Sequence, residues 1–364
     1  MTSAERVAVI GTGLLGTSIG LAALRAGDAV RGVDVDPGNA AAASARLRCP
    51  VDAVAGEALA WASVVVIATP MASVADAVID ALAGSSRDTI VTDVASVKTS
   101  IVDVVRARVA DPATRARYVP GHPMAGTERT GPNSAAAGLL DGATWVLTAD
   151  SEVPEPHVER IERWLRRLGA HPFRIPAARH DRLVATVSHL PQLASTALMD
   201  LAVRREAGEP DALLLAAGGF RDLTRLAASN PRLWSEILTA NRAEVVAAID
   251  AFVEALSGIR ASIDAGDEDA VEEAFARAKA ARLALATRAR VRSGVAVLLV
   301  PIPDRPGALA AITGALGDVN IEDLQIVHSS EGGGGMVHLT VTSDALEGAS
   351  SALAAAGHPA LRLA

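Results

Sequence analysis

The sequence predicts an α/β protein built from three parts. Up to residue 176, short β-rich runs alternate with helical patterns, which indicates a parallel sheet covered by helices. Between residues 177 and 291 only amphipathic helical stretches occur, which predicts an all-helical middle domain. Residues 294–364 follow the order β-α-β-β-α-β, which is typical of a small ferredoxin-like module.

The strands predicted for the first part are short and mostly apolar, as expected for parallel strands that are buried on both faces. They are Val7–Ile10, Val30–Asp34, Val64–Ala68, Ile90–Asp93, Tyr118–Pro120, Thr144–Thr148 and Pro172–Ile175. The strands predicted for the last part are Val295–Pro301, Ile321–Ser329, Met336–Thr342 and Ala360–Leu363, with helices at Gly307–Leu316 and Ala345–Ala355.

Composition and charge argue against several classes of protein. The net charge of -8 disfavours a nucleic-acid partner, which needs a basic face to neutralise phosphates. No apolar run is long enough for a membrane span, and charged Glu5 and Arg6 lead into the first strand without a signal peptide. Cys49 is the single cysteine, and His180 and His189 lack companions at zinc spacing, so no metal site is predicted. We therefore expect a cytoplasmic protein.

The segment VAVIGTGLLGTSIG, residues 7–20, predicts the phosphate loop of a doubly wound, Rossmann-type domain. Gly11 permits the tight turn after the first strand, Gly13 lets the backbone approach a pyrophosphate, and Gly16 lets helix and strand pack closely. Free N–H groups at the start of the helix attract the phosphates. The residues predicted to contact the cofactor here are Gly11, Thr12, Gly13, Leu14, Leu15 and Gly16.

Residues at the ends of the next strands bear on the cofactor as well. Asp34 lies where a carboxylate accepts hydrogen bonds from ribose hydroxyls and repels a 2′-phosphate, which favours NAD over NADP. Thr69 and Pro70 end the strand at Val64, at the edge where the nicotinamide is expected. A plain strand-to-helix turn explains this pair equally well.

Polar side chains follow two further strands. Ser96 and Lys98 come after the strand Ile90–Asp93, and His122 follows the strand at Tyr118 in the segment GHPMAGTERTG. A histidine pKa of about 6.5 suits His122 to accept a proton near neutral pH. Two interpretations stand side by side, a catalytic base and a loop histidine that binds its local backbone.

The helix around SHLPQ carries a second polar group. Asp181, Ser188 and Gln192 share one face of this helix, and His189 lies one step round from them. Pro191 removes a backbone hydrogen bond and predicts a kink that turns His189 toward a pocket.

Arg221 and Arg225 form an i, i+4 pair further along the helical part. Such a pair is either a solvated basic face or, just after Gly218 and Gly219, a clamp that binds a carboxylate through two parallel hydrogen bonds.

Five segments in this order resemble the prephenate and arogenate dehydrogenases of tyrosine biosynthesis. They are GTGLLGTSIG, DVASVK, GHPMAGTE, SHLPQ and GGFRDLTRLAASNPRLW. The tail VPIPDRPGALAAITGALGDVNIEDLQI resembles an ACT domain, the amino-acid-sensing module attached to many such enzymes. The resemblance implies NAD-dependent oxidative decarboxylation of prephenate to 4-hydroxyphenylpyruvate. It also implies a homodimer, which the Ala- and Leu-rich middle helices favour because they would otherwise expose apolar surface.

The resemblance implies roles for individual residues. His122 matches the catalytic histidine that takes the proton of the ring hydroxyl as the hydride leaves, and Ser96 matches the serine that positions both groups. Arg225 matches the arginine that binds a substrate carboxylate. Asp181 corresponds to an acid at the base of the pocket. The predicted substrate-binding residues are Arg225, His189, Gln192, Thr127, Glu128, Arg221 and Asp181, with Thr127 and Glu128 at the entrance.

One departure from the family pattern leaves the substrate open. Several prephenate-using relatives carry histidine where this sequence has Gln192. Histidine can place positive charge near the side-chain carboxylate, whereas the amide is neutral. Prephenate ends in a keto acid and arogenate in an amino acid, so arogenate dehydrogenase is the alternative function.

Two other classes of function fit the sequence less well. The β-hydroxyacid dehydrogenases and imine reductases place a catalytic Lys or Asp on the long interdomain helix, and ATVSHLPQL offers neither at its centre. A non-catalytic sensor of NAD and an amino acid does not need the set of His122, Ser96 and Arg225.

The tail predicts a site for a regulatory amino acid. Pro306 and Gly307 turn the chain into a helix whose N–H groups can meet a carboxylate, and Asp304 beside the turn can receive an ammonium group. Asn320 and Ile321 begin the next strand and complete this predicted site. Tyrosine is the expected effector and phenylalanine the second choice. The alternative is a tail that only pairs subunits.

Overall fold

The structure, a computed structural model, describes residues 4–126, 129–209, 211–293, 295–328 and 334–363. The chain divides into two units, Met1–Glu254 and Ala255–Ala364. Among the described helices, none is both long enough and apolar enough to cross a bilayer.

A six-stranded parallel sheet organises the first unit. Its strands are β1 (Arg6–Ile10), β2 (Ala29–Val33), β3 (Val51–Asp52), β4 (Val64–Ile67), β5 (Ile90–Asp93) and β6 (Tyr118–Val119), in the spatial order β3-β2-β1-β4-β5-β6. The strand order reverses between β1 and β4, which is the switch point where ligands bind in sheets of this kind. The Rossmann-type sheet predicted from the sequence is therefore confirmed, with the two-residue strand β3 in addition.

Helices cover both faces of this sheet. They are α1 (Leu14–Arg25), α2 (Pro37–Leu47), α3 (Gly56–Trp61), α4 (Met71–Gly84), α5 (Thr99–Arg108), α6 (Pro112–Arg115) and α7 (Glu155–Arg167). One face is filled by α1 and α7 around Ile19 and Trp164, and the other by α4 and α5 around Val78 and Ile101. Both layers consist mainly of aliphatic side chains, so the central strands are buried on both faces.

A separate three-stranded sheet follows the parallel sheet. It consists of β7 (Gly121–Pro123), β8 (Thr144–Leu147) and β9 (His171–Arg174), with β7 antiparallel and β9 parallel to β8. The last two strands predicted for the first part thus do not extend the parallel sheet. Pro120 has no N–H to donate to a ladder, and it separates β6 from β7. This break places His122 on β7, opposite Val146.

The middle region is helical, as the sequence predicts. Its helices are α8 (Ala177–Val184), α9 (Leu190–Gly208), α10 (Gly218–Thr224), α11 (Pro231–Ala240), α12 (Arg242–Ala265) and α13 (Glu268–Ser293). A π-helical turn, Ala185–His189, joins α8 to α9, and a 3₁₀ turn, Arg225–Ala228, follows α10.

The second unit contains an antiparallel sheet after α13. Its elements are β10 (Val295–Pro303), α14 (Ala308–Ala315), β11 (Ile321–His328), β12 (Gly334–Thr342), α15 (Leu346–Ala355) and β13 (Leu361–Leu363), with the strand order β11-β12-β10-β13. Ile312 of α14 and Leu353 of α15 pack with Leu298 and Leu339 of the sheet, so this unit has its own small core.

Candidate active site

The glycine loop between β1 and α1 has the geometry of a phosphate cradle. Gly11 has φ +91°, and a Cβ there would lie 2.6 Å from the carbonyl oxygen of Ala68. A Cβ on Gly16 would lie 1.9 Å from the oxygen of Gly11, whereas one on Gly13 would meet nothing within 4 Å. Gly13 is the N-cap of α1, and it makes no side-chain cap hydrogen bond to the first turn of this helix. The space at Gly13 and the uncapped N–H groups fit an anionic group.

Asp34 is joined directly to this loop. Its Oδ2 accepts hydrogen bonds from the Thr12 N–H at 2.7 Å and from the Thr12 hydroxyl at 3.1 Å. Its Oδ1 accepts one from the Asp36 N–H at 2.9 Å. These donors hold the half-buried carboxylate at the end of β2, beside the loop, where a ribose is expected.

Thr69 and Pro70 lie at the same edge of the sheet. Pro70 is the N-cap residue of α4. Within the described part of the chain, the buried hydroxyl of Thr69 has no hydrogen-bond partner. A buried polar atom without a partner is uncommon in native proteins, and it fits a ligand group at this edge.

His122 begins a chain of hydrogen bonds that leads into the protein interior. Its Nδ1 lies 2.9 Å from Nε2 of His180, and the two rings meet edge to face with centroids 5.1 Å apart. Nδ1 of His180 lies 2.7 Å from Oδ1 of Asp181. His122 is half-buried, whereas His180 and Asp181 are 1% and 2% exposed. The three side chains therefore connect the partly open side of the site to its base.

Asp181 is fixed at the start of α5. Its oxygens accept hydrogen bonds from the backbone N–H of Lys98 at 2.9 Å and of Thr99 at 2.8 Å. Burial alone would raise the pKa of this carboxyl, but the donors from His180, Thr99 and Lys98 outweigh it and lower the pKa. The positive end of the α5 dipole acts in the same direction. Asp181 is therefore ionised, and its carboxylate acts on His180 and α5.

A buried ion pair holds the residue that precedes His122. The Lys98 ammonium pairs with Asp93 and donates to the carbonyl oxygen of Gly121 at 2.6 Å. Asp93 also accepts from the Tyr118 hydroxyl at 2.9 Å and from the Gly121 N–H at 3.0 Å. Lys98 and Asp93 are both completely buried, and burial lowers the pKa of Lys98 against the opposing attraction of Asp93. Both backbone groups of Gly121 are thus held in place.

These surroundings lower the pKa of His122 well below its ordinary value. Burial is the largest cause, and the positive charge that His180, Lys98 and His189 can carry acts in the same direction. The negative charge of Asp181 opposes them and is outweighed. His122 is therefore neutral near pH 7, which is the form that accepts a proton.

His189 is buried against the helices that follow it. Its ring packs edge to face against Trp234 with the ring centroids 6.0 Å apart, and its Nδ1 lies 3.3 Å from the amide nitrogen of Asn241. Burial lowers the pKa of His189 to about 4, so it carries no charge near pH 7. A π-helical turn, Ala185–His189, interrupts the helix just before Pro191, which lies in the first turn of α9.

Gln192 binds the segment that carries Arg225. Its amide nitrogen donates to the carbonyl oxygen of Leu226 at 2.7 Å, and its amide oxygen accepts from the Ser229 hydroxyl at 3.2 Å. Arg225 begins this 3₁₀ turn and is exposed, as is Arg221 on α10. The structure therefore uses the Gln192 amide to hold the turn beside Arg225.

The remaining predicted residues are placed as follows. Ser96 is half-buried in the loop between β5 and α5, and among the described residues no hydrogen bond joins it to His122. Thr127 and Glu128 lie outside the described residues. The described side chains include no group of three His, Cys, Asp or Glu residues arranged for a metal ion.

Sequence reasoning missed three residues of the site. His180 contacts His122, Asp93 holds Gly121, and the Asn241 amide donates to the backbone oxygen of Asp181 at 2.9 Å. The only signal for His180 was its place beside Asp181 in the segment HDRLV, and Asn241 had none.

The doubly wound sheet and its glycine loop define a nucleotide-binding α/β protein. A family model described as the prephenate dehydrogenase nucleotide-binding domain matches residues 19–173, and one described as the prephenate dehydrogenase dimerization domain matches residues 176–277. The chain belongs to the prephenate dehydrogenase family. Neither match extends beyond residue 277.

Individual relatives agree with this assignment. The prephenate dehydrogenase of Bacillus subtilis (strain 168) is 29% identical over 234 residues, which is 64% of this chain and 63% of that protein. The crystal structure of prephenate dehydrogenase from A. aeolicus in complex with hydroxyphenyl propionate and NAD+ is similar with a TM-score of 0.72 and 25% identity, over 78% of this chain and 99% of that one. Synechocystis arogenate dehydrogenase gives a TM-score of 0.65 and 26% identity, over 76% and 98% of the two chains. The chain spans about three fifths of the length of the curated relatives it matches.

Proposed function

We propose that this protein is an NAD-dependent prephenate dehydrogenase that converts prephenate to 4-hydroxyphenylpyruvate and CO2. The observation that carries the proposal is His122, a half-buried histidine held neutral at the edge of the nucleotide-binding half. The test is production of NADH, followed by its absorbance, when the protein is mixed with prephenate and NAD+. Absence of turnover with both prephenate and arogenate would overturn the proposal.

Residues of the glycine loop would hold the cofactor. The loop from Gly11 to Gly16 receives the pyrophosphate, Asp34 receives the ribose hydroxyls, and Thr69 and Pro70 line the nicotinamide side. When bound, NAD+ supplies the acceptor for a hydride. Changing Asp34 to Ser should weaken NAD+ binding and improve that of NADP+, since the carboxylate that repels a 2′-phosphate is gone. A native enzyme that already prefers NADP+ would contradict this assignment.

The chain's own residues supply the proton chemistry. Nε2 of His122 accepts the proton of the ring hydroxyl as a hydride leaves the ring carbon that bears this hydroxyl. Ser96 positions His122 and the hydroxyl. The ring carboxylate departs as CO2, and the electron pair of the broken carbon–carbon bond completes the aromatic ring as a phenolate. The phenolate oxygen then takes the proton back from Nε2 of His122, which gives the hydroxyl of 4-hydroxyphenylpyruvate and restores the neutral base. Aromatisation makes the step effectively irreversible. Thr127 and Glu128 belong to the entrance in this proposal.

The substrate's side-chain carboxylate is assigned to Arg225. A guanidinium keeps its charge while exposed to water and binds carboxylates through two parallel hydrogen bonds. Arg221, four residues earlier, is the second candidate for this contact.

Arogenate is the second candidate substrate, and one observation favours it. His189 and Gln192 are both neutral near pH 7, so neither adds positive charge against the ammonium group that distinguishes arogenate from prephenate. The similarity to Synechocystis arogenate dehydrogenase is in line with this alternative. Side-by-side measurements of kcat/KM with the two substrates decide between them.

We also propose a homodimer formed through the helical region. The family model for residues 176–277 describes a dimerization domain, and α12 carries the exposed apolar side chains Phe252, Leu256 and Ile263 on one stripe. Sedimentation of a monomer at micromolar concentration would overturn this. A cytoplasmic location fits such an enzyme.

The tail is proposed to be an ACT domain that binds tyrosine or, second, phenylalanine. Asp304 and Gly307 line a cavity of about 490 Å³ in the second unit, and Gly307, with φ +83°, is the N-cap residue of α14. Pro306, Asn320 and Ile321 do not line this cavity, and the Asn320 amide donates to Glu322 instead. Calorimetry should detect tyrosine binding that Asp304→Ala abolishes. Equal binding by the variant would mean that tyrosine occupies only the active site.

A further inference from the structure

We propose that His180 and Asp181 form a relay with His122 that fixes the tautomer of His122 and stabilises its protonated form. His180 is thereby a positioning residue for the reaction. The inference rests on the proposed function, in which His122 is the base, and it adds a residue that neither the sequence nor the family assignment supplied.

The direction of each hydrogen bond follows from Asp181. Its two oxygens accept the N–H groups of Lys98 and Thr99, and its lowered pKa keeps it ionised, so it can only accept from His180. Nδ1 of His180 therefore carries a hydrogen. In neutral His180 the other nitrogen, Nε2, is then bare and must accept.

The same logic fixes the ring of His122. Since Nε2 of His180 accepts, Nδ1 of His122 carries the hydrogen across the 2.9 Å contact. Nε2 of His122 is then the unprotonated nitrogen, which makes it the atom that receives the substrate's proton. The opposite tautomer would carry a hydrogen at Nε2 and could not act as a base there.

The relay also stabilises the charge that the reaction creates. When Nε2 of His122 takes a proton, the positive ring donates through Nδ1 to His180, which donates in turn to ionised Asp181. The bond from His122 to His180 becomes charge-assisted, and the bond from His180 to the carboxylate of Asp181, which is charge-assisted already, strengthens with it. His180 and Asp181 are almost completely buried, so water cannot take over this role. Among the other ionisable groups, Lys98 is paired with Asp93 and His189 is neutral.

Substitution of His180 tests the relay by kinetics. His180→Phe keeps a ring and removes the acceptor, so kcat should fall about 10²-fold at every pH above the acid limb, with KM within about threefold. His180→Gln supplies an amide oxygen that can accept from Nδ1 of His122, and should recover at least tenfold of the loss. Exposed His171, changed to Phe, is the matched control and should leave kcat unchanged. Circular dichroism establishes that each variant is folded.

Nitrogen NMR of the wild-type protein labelled with ¹⁵N-histidine tests the tautomer without any turnover. His122 should carry its hydrogen on Nδ1 near pH 7, and His180→Gln should retain this state. If the wild type oxidises neither prephenate nor arogenate yet shows this tautomer, the proposed function fails and the relay stands. A hydrogen on Nε2 of His122, or an unchanged kcat in folded His180→Phe, would overturn the relay.

Discussion

The two sides of the candidate site are built in opposite ways. The side proposed to handle the proton is built on buried groups, with His180, Asp181 and Lys98 held by hydrogen bonds to strands and helix ends. The side proposed to bind the substrate carboxylate presents exposed Arg221 and Arg225 on a seven-residue helix and the turn after it. A base needs a fixed tautomer and a shifted pKa, which require burial, whereas a guanidinium keeps its charge in water. We therefore expect substitutions to affect kcat on one side and KM on the other.

His122→Asn should give the largest effect. It removes the proton acceptor while keeping the ability to hydrogen-bond, so kcat should fall roughly 10²- to 10⁴-fold, with NAD+ binding unchanged. Steady-state kinetics and cofactor titration measure the two quantities. Turnover within threefold of the wild type would remove His122 from its assigned role.

Lys98→Met should cause the next largest effect, on stability. Removal of the cation leaves Asp93 buried without its partner, which should lower the free energy of unfolding by about 3–5 kcal/mol. Arg163→Ala is the control, because it breaks an exposed i, i+4 pair with Glu159 and should cost at most about 0.5 kcal/mol. Denaturant unfolding measures the free energy of unfolding of both variants. Equal losses would show that the buried pair stabilises the protein no more than the exposed one.

Arg225→Ala should change substrate affinity more than turnover. Loss of a charge-assisted carboxylate contact should raise KM about 10-fold or more, with kcat within about threefold. Arg221→Ala tests the second arginine, for which we expect a smaller rise. A normal KM with depressed kcat in Arg225→Ala would contradict the division between the two sides.

The pH dependence should show the smallest and most specific effect. Because the pKa of His122 is lowered, its imidazole stays neutral at pH values below about 6.5, the ordinary pKa of a histidine. In measurements of kcat/KM against pH, activity should therefore stay level as pH falls past 6.5 and be lost only below it. An acid limb centred at or above 6.5 would show that burial does not control this histidine.

The parallel sheet was predictable because its signals are local. The apolar strand, the glycine spacing and Asp34 lie within one βαβ unit, and the sterics at Gly11 and Gly16 explain why those residues are glycine. Strand β3 was not predicted, because two residues paired at the edge of a sheet produce no periodic sequence pattern.

The sequence pattern singled out some residues of the candidate site but not their contacts. His122 and Asp181 were named from the pattern, yet His180 joins them through a contact with His122 that spans 58 residues of sequence. The hydrogen bond that Gln192 donates to Leu226 and the one that it accepts from Ser229 span 34 and 37 residues. Such partners depend on tertiary packing, which periodicity does not encode.

The π-helical turn Ala185–His189 determines how the side chains of α9 are rotated about the helix axis relative to those of α8. An α-helix has 3.6 residues per turn, so one residue more or less rotates everything that follows by about 100°. His180 and Asp181 precede this turn, and Gln192 follows it. Deletion of one residue within the turn would swing Gln192 away from Leu226 and leave Asp181 in place beneath α5, which would separate the two sides of the site by rotation alone.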